Sequence, residues 1–390
     1  MLKKFSLVLA LYFMTAAPLF AHGSFVYVTN YGDGSISQFR AKANGKLIPL
    51  KPPVIRAHGL AHCLAADPSG RFLYVTSARD WKRRDCVVSQ FRIGPDGRLT
   101  PLSPPKVLVP GTPATIVVEP SGRFVYVFCR EGTAAQFRIG TDGRLSPLSP
   151  LVIEVAHAGD ITPIVAFDKP YHVLYGAYRV GFGENVIGGL FTLAIGRNGQ
   201  LRALPGRQTL RSTSEQSISP PASISLTPSG RYAYIPESLY DKRPDGQWRD
   251  VMAQYRTRPG GILVPLSPRM VAVKTMGTSF IDPQGHFLYM VRIKTNEREG
   301  TARYCLAHAR LHSNGGLGRF CDQLLDIPAP LPTSQAFFSL AFGTSDHFCY
   351  FADGNDLYLF RLHRDGSLSP LHPSRIAAGY GPLGVLCVSH

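Results

Sequence analysis

What the chain lacks narrows it first. Beyond the opening stretch of its 390 residues, no apolar run approaches the ~18 residues that a membrane-spanning helix needs, so no later segment reads as a span. Its seven cysteines include no Cys-x-x-Cys spacing, which removes the usual structural zinc sites. No Gly-x-Ser-x-Gly elbow occurs, and Cys63 beside His62 reads as a small buried residue, so nucleophilic catalysis has no local signature. Acids are few: 26 Asp and Glu face 42 Lys and Arg, a formal charge of +16. In a cytosolic protein that balance would point to nucleic acid.

The first 21 residues argue for another compartment. Lys3 and Lys4 precede an apolar run from Phe5 to Ala17, and Ala21 supplies a small residue for cleavage, the layout of a secretory signal peptide. The expectation is a leader at residues 1–21, one domain at 22–390, and a periplasmic or secreted monomer that keeps a charge of +14. In that setting the abundant polyanions are lipid head groups, surface glycans and anionic metabolites. The expected partner is therefore an anionic small molecule, glycan or protein surface, with no nucleic acid and no span in the mature protein. An odd number of cysteines in an oxidising compartment leaves at least one thiol free.

Glycine and proline, at 38 and 32 residues, favour many short strands and turns. Laying the sequence on itself resolves them into a repeat. Pro68-Ser69-Gly70-Arg71-Phe72-Leu73-Tyr74-Val75, Gln90-Phe91-Arg92-Ile93 and Asp96-Gly97-Arg98-Leu99-Thr100-Pro101-Leu102 return in the same order as Pro120–Val127, Gln136–Ile139 and Asp142–Leu148. The tyrosine of the Phe-x-Tyr-Val segment recurs seven times, at 27, 74, 126, 175, 234, 289 and 350. A glycine turn follows each, at Gly45, Gly97, Gly143, Gly199, Gly261, Gly315 and Gly366.

Each repeat reads as four strands. An apolar strand A such as Ala114–Val118 precedes the Pro-Ser-Gly turn, the Phe-Val-Tyr-Val segment is strand B, and the alternating Gln-Phe-Arg-Ile is strand C. The Asp-Gly or Asn-Gly pair then turns the backbone into an outer strand D. Four antiparallel strands every ~50 residues predict an all-β, seven-bladed propeller. The region after the leader begins with a B strand, Phe25–Thr29, and the sequence ends with an A strand around Val385–Val388, so the last strand is expected to close the first blade. Cys305 and Cys321 flank the Asn314-Gly315 hairpin, and a cross-strand disulfide is expected between them.

In this strand order the loops leading into A and the loops joining B to C share one face, where propeller function usually sits. Both tryptophans, Trp81 and Trp248, fall in the B–C loops. Arginine with exposed aromatics is the composition of an anion-recognising surface. The candidate ligand-binding residues are Trp81, Arg83, Arg130, Arg179, Glu237, Arg249, Arg292 and Arg303. His58, His62 and His157 also map to this face, but His157 lies two blades from the others, so no metal site and no cofactor is expected.

The literal Tyr27-Val28-Thr29-Asn30, the Pro-Ser-Gly-Arg-Phe-x-Tyr-Val turns and the Asp-Gly-x-Leu-x-Pro-Leu hairpins resemble the seven-bladed propellers of the lactonase family, which has a 6-phosphogluconolactonase branch. The resemblance implies a propeller across residues 24–390. It implies lactone hydrolysis only where the family's residues persist. Its His-rich approach to an A strand near the middle of the sequence is Ile161-Thr162-Pro163-Ile164 here, and its Gly-Pro-Arg-His is Pro220-Pro221-Ala222-Ser223. Its glutamate survives as Glu237, after Tyr234-Ile235-Pro236, with His62 or Arg249 as replacements for the lost groups. Two readings follow: a propeller binding an anionic ligand through its crown, or a lactone hydrolase.

Overall fold

The computed structural model describes residues 23–389 apart from 81–84, 156–164, 169–171, 181–186, 205–207, 211–215, 219–222, 242–247, 275–276, 297–300, 329–338 and 344–346. Its strands form seven antiparallel sheets, five of four strands and two of five, running from A at the hub to D at the rim. Blade 2 is typical: Leu60–Ala66, Phe72–Asp80, Asp85–Ile93 and Leu99–Val109 pair in sequence order. In blade 4 an extra short strand, Gln208–Leu210, shares the outer edge, and in blade 5 the inner strand is split into Gln216–Ile218 and Ser225–Leu226.

Closure is as expected from the two orphan segments. Pro382–Ser389 pairs with Ser24–Asn30, placing Phe25 opposite Val388 and Val28 opposite Val385. Beyond it lie Ser35–Ala41 and Leu47–Arg56, so blade 1 is built from both ends of the described residues. The pairing hydrogen-bonds two edges that would otherwise stay open.

Two repeated side chains fasten most blades to the next, the tyrosine at five junctions and the C-strand glutamine at four. The B-strand tyrosine is wholly buried, and its hydroxyl donates to the carbonyl of the next blade's hairpin glycine: Tyr27 to Gly97 at 2.6 Å, Tyr74 to Gly143, Tyr126 to Gly199 and Tyr234 to Gly315 at 2.7 Å, and Tyr350 to Gly45 at 3.1 Å. The C-strand glutamine does the same for the next D strand: the amides of Leu99, Leu145, Leu201 and Leu317 donate to the side-chain oxygens of Gln38, Gln90, Gln136 and Gln254. In blade 6 the glutamine position holds His308, and the task passes to Gln323 on the outer strand, which receives the Leu368 amide at 2.9 Å. These bonds explain the glutamine in Gln-Phe-Arg-Ile, whose polarity alone reads as exposure. It is buried and fully used.

The hairpin glycine has two reasons to be glycine. Gly143 has φ +87°, and a Cβ there would stand 2.2 Å from the ring of Phe72 in the preceding blade. A C-strand arginine also stacks on that ring, Arg92 lying over Phe72 at 5.3 Å, with Arg71 over it at 5.2 Å.

The expected Cys305–Cys321 bond is not formed, and none of the seven cysteines is in a disulfide. The hairpin centres so that Leu311 faces Leu317, and strand register then puts Cys321 opposite His308 and Leu324 opposite Cys305. Cys305 is buried while Cys321 is exposed. Flanking a turn is not enough; cross-strand partners must sum to the register that the turn sets.

Candidate functional site

Register defines the two faces of the ring. B strands begin beside the ends of A and C, as Ser24 lies beside Ser389 and Ala41, so the A–B turns and C–D hairpins share a lower face. The B–C and D–A loops form the upper face. On it the expected residues fall into separate groups.

One group spans blades 1 to 3. His62, on the inner strand of blade 2, is buried, with its Nδ1 3.1 Å from Cys63 Sγ and its carbonyl accepting from Thr29 Oγ1 at 2.6 Å. The Tyr31 ring meets it edge-on at 6.2 Å. Burial, aided by the Arg130 guanidinium, pushes the imidazole down to about 4, so it is neutral near pH 7. Burial pushes the Cys63 thiol up to about 12, opposed by Arg130, which leaves it no thiolate. The thiol donates to Ala114 O at 3.2 Å, and the residue is half-buried where the sequence reading expected it buried.

The second group is on blade 5. Glu237 is the sixth of the ten residues of Tyr232–Asp241, opposite Val251. It is 0% exposed, and neither carboxyl oxygen has a hydrogen-bond partner among the described residues. Strand alternation puts it on the same side as Ala233 and Ile235, which pack against Val173, Tyr175 and Ala177 of blade 4. Burial lifts the carboxyl to about 7, against a lowering pull from Arg269. Arg269 itself reaches Tyr255, its Nη2 donating to the phenol oxygen at 3.3 Å. Arg249 is exposed and pairs with Leu239, two pairs nearer the upper face than Glu237 and Val251, and on the same side of the sheet.

Arg292 differs from the exposed crown residue anticipated. It is 5% exposed, with Nη2 2.7 Å from Asp322 Oδ1, and Lys274 of blade 5 binds the same carboxylate at 2.8 Å. This pair joins blades 5 and 6 at their rim. Arg303 is exposed and Arg130 half-buried. Of Arg179 only the backbone is described, opposite Gly188. Trp81, Arg83 and His157 lie outside the described residues. The structure therefore sets His62 with Arg130 and Glu237 with Arg269, three blades apart. Among the described residues no cluster of three or more His, Cys, Asp or Glu could hold a metal ion.

The position matching the family's histidine, Ser223, is a buried hydroxyl 2.7 Å from Ser279 Oγ of the next blade. What the sequence did not reveal is Arg269: it belongs to the outer strand, and no local pattern links it to a glutamate more than thirty residues earlier.

Residues 26–162 match the family model described as lactonase, 7-bladed beta-propeller. No curated protein matches the sequence. Among solved structures it is similar to a candidate 6-phosphogluconolactonase from Bacteroides fragilis, with 18% identity and a TM-score of 0.64, covering 95% of this chain, 99% of that one. It is also similar to the periplasmic gluconolactonase of Pseudomonas aeruginosa, with 16% identity and a TM-score of 0.60 over 94% and 99%. A protein of unknown function from Desulfotomaculum acetoxidans shares 12% identity with a TM-score of 0.58 over 92% and 98%. At these identities the likeness is one of fold.

Proposed function

We propose that this propeller hydrolyses a polar, sugar-derived lactone, with Glu237 handling the proton and Arg249 drawing on the carbonyl. The observation that carries the reading is Glu237 itself: a wholly buried carboxyl, without a hydrogen-bond partner among the described residues, held near neutrality. A carboxyl at about 7 is matched to taking a proton at physiological pH. As the carboxylate it accepts a proton from water while the water oxygen bonds to the lactone carbonyl carbon. The ester C–O bond then breaks, and the proton passes to the ring oxygen to give a hydroxy acid. Arg249, two pairs nearer the upper face on the same side of the sheet, supplies positive charge for the oxyanion. Because Glu237 is covered, turnover requires substrate binding to open the rim of blade 5. The sugar-lactone class is supported by what the Bacteroides and Pseudomonas structures are called. Export to the periplasm or beyond belongs to the same proposal, on the strength of the leader at residues 1–21.

The test is the rate of lactone opening above the spontaneous rate, measured on 6-phosphogluconolactone and on unphosphorylated gluconolactone. Wild-type kcat is expected to rise through pH 7, and Glu237→Gln to lower it by roughly 10²-fold or more. Wild-type turnover that Glu237→Gln leaves intact would refute the role. A second reading, an anion-binding crown without catalysis, is favoured by Ser223 standing where the family places histidine. It expects no turnover, with binding of the corresponding acid that weakens on Arg249→Ala and with added salt.

A further inference from the structure

The proposed activity occupies the upper face, yet the most regular array of charge lies on the lower one. At the end of strand C six of the seven blades carry an arginine: Arg40, Arg92, Arg138, Arg256, Arg310 and Arg361. Each guanidinium lies over the aromatic ring that begins strand B, 5.1 to 5.7 Å from its centroid, which fixes the side chain in one place and orients it on this face. Blade 4 has lost both partners together, with Val173 opposite Ala194. The stack and the charge are one device.

Acids do not cancel this ring. Asp67, Glu119 and Asp282 are buried beneath the face, accepting the amides of Phe72, Ser121 and Phe287 in the A–B turns. Of the hairpin acids that reach the surface, Asp96 and Asp142 are each met by a further arginine, Arg98 and Arg144, and Asp365 is bonded to Ser367. The array is therefore a broad cationic annulus and not a groove, a shape that suits an extended anionic plane better than a single polymer strand.

Two observations select a lipid bilayer among such planes. A recess of about 430 Å3 opens on this face, with Arg40 and Lys42 above a floor that includes Phe25, Phe348 and Tyr350. Cations over an apolar floor match a phosphate head group above its acyl chains. The backbone also enters the ring at Ser24 on this face, so the apolar run Phe5–Ala17 is joined to it by a few residues and would bring it to a membrane during export.

We propose that the lower face docks on membranes rich in anionic phospholipid. The ring is complete within Ser24–Ser389, so the test uses the protein beginning at His22, without the apolar run. It is mixed with phosphatidylcholine vesicles with and without about 30% phosphatidylglycerol, at roughly 0.05 M and 0.5 M salt, and sedimented. Binding is expected only to the anionic vesicles and only at low salt. Replacing Arg40, Arg92 and Arg138 together by Gln should weaken it roughly 100-fold, at about fivefold per arginine. The same three changed to Lys should retain it, separating charge from ring stacking, and Arg56→Gln with Arg375→Gln on the upper face should not weaken it. Equal binding to neutral vesicles, or indifference to the Gln changes, would overturn the proposal. So would capture by heparin or nucleic acid without capture by anionic vesicles.

Discussion

Replacing Tyr126 by Phe removes one oxygen atom from a side chain that is otherwise unchanged in shape. That oxygen donates to Gly199 O at 2.7 Å across the interface of blades 3 and 4, and the tyrosine is 0% exposed. Burial, reinforced by Glu119 and opposed by Arg123, raises the phenol well above its ordinary value, so it remains a donor through any usual pH. The variant forfeits a bond worth about 1 kcal/mol net and leaves a buried carbonyl unsatisfied, so the expected loss is roughly 1 to 2 kcal/mol. In a protein of this length, at about 2.1 cal/mol/K of unfolding entropy per residue, that is a fall in Tm of roughly 1 to 3 °C. Tyr289 supplies the internal control. It occupies the same place in blade 6 and is equally buried, but its hydroxyl has no partner among the described residues; His308 stacks on its ring at 6.1 Å instead. Tyr289→Phe deletes an unsatisfied polar group and should leave Tm unchanged or raise it. Differential scanning fluorimetry of both variants decides the matter. Equal losses at the two positions would show that the phenol oxygen is not what fastens the blades.

The hairpin glycine can be tested in the same assay: Gly143→Ala adds a methyl at φ +87° against the Phe72 ring and should cost more than Tyr126→Phe, whereas a neutral result would mean that the ring yields freely. Two buried groups should tilt stability with pH in opposite senses. His62, lowered from 6.5 to about 4, contributes stability that is present above pH about 6.5 and is lost as pH falls toward 4, up to about 3 kcal/mol, so His62→Gln should flatten that limb of a urea titration. Glu237, raised from 4.5 to about 7, contributes stability that is present below pH about 4.5 and is lost as pH rises through 7, and Glu237→Gln should remove that slope.

The sequence by itself determined the repeat, the count of seven blades, the strand order and the closure by Val385–Val388, because each depends on turns and alternation that are local and are written seven times over. It also marked Glu237, through a resemblance carried by the three residues before it. Only the tertiary structure decided what lies between blades. Gln38 reads as surface by alternation, yet it is buried by contact with Leu99, sixty-one residues away in the next blade. Glu237 reads as a crown residue, yet it titrates near 7 because strand pairing turns it toward blade 4 and away from water. Cys305 and Cys321 fail to meet because register along two strands, not closeness to a turn, sets which side chains face each other. The placement of charge follows the same rule: arginines scattered through the sequence at intervals of about fifty residues become a ring on one face only when the blades close, since a rotation about the hub brings equivalent positions to one level.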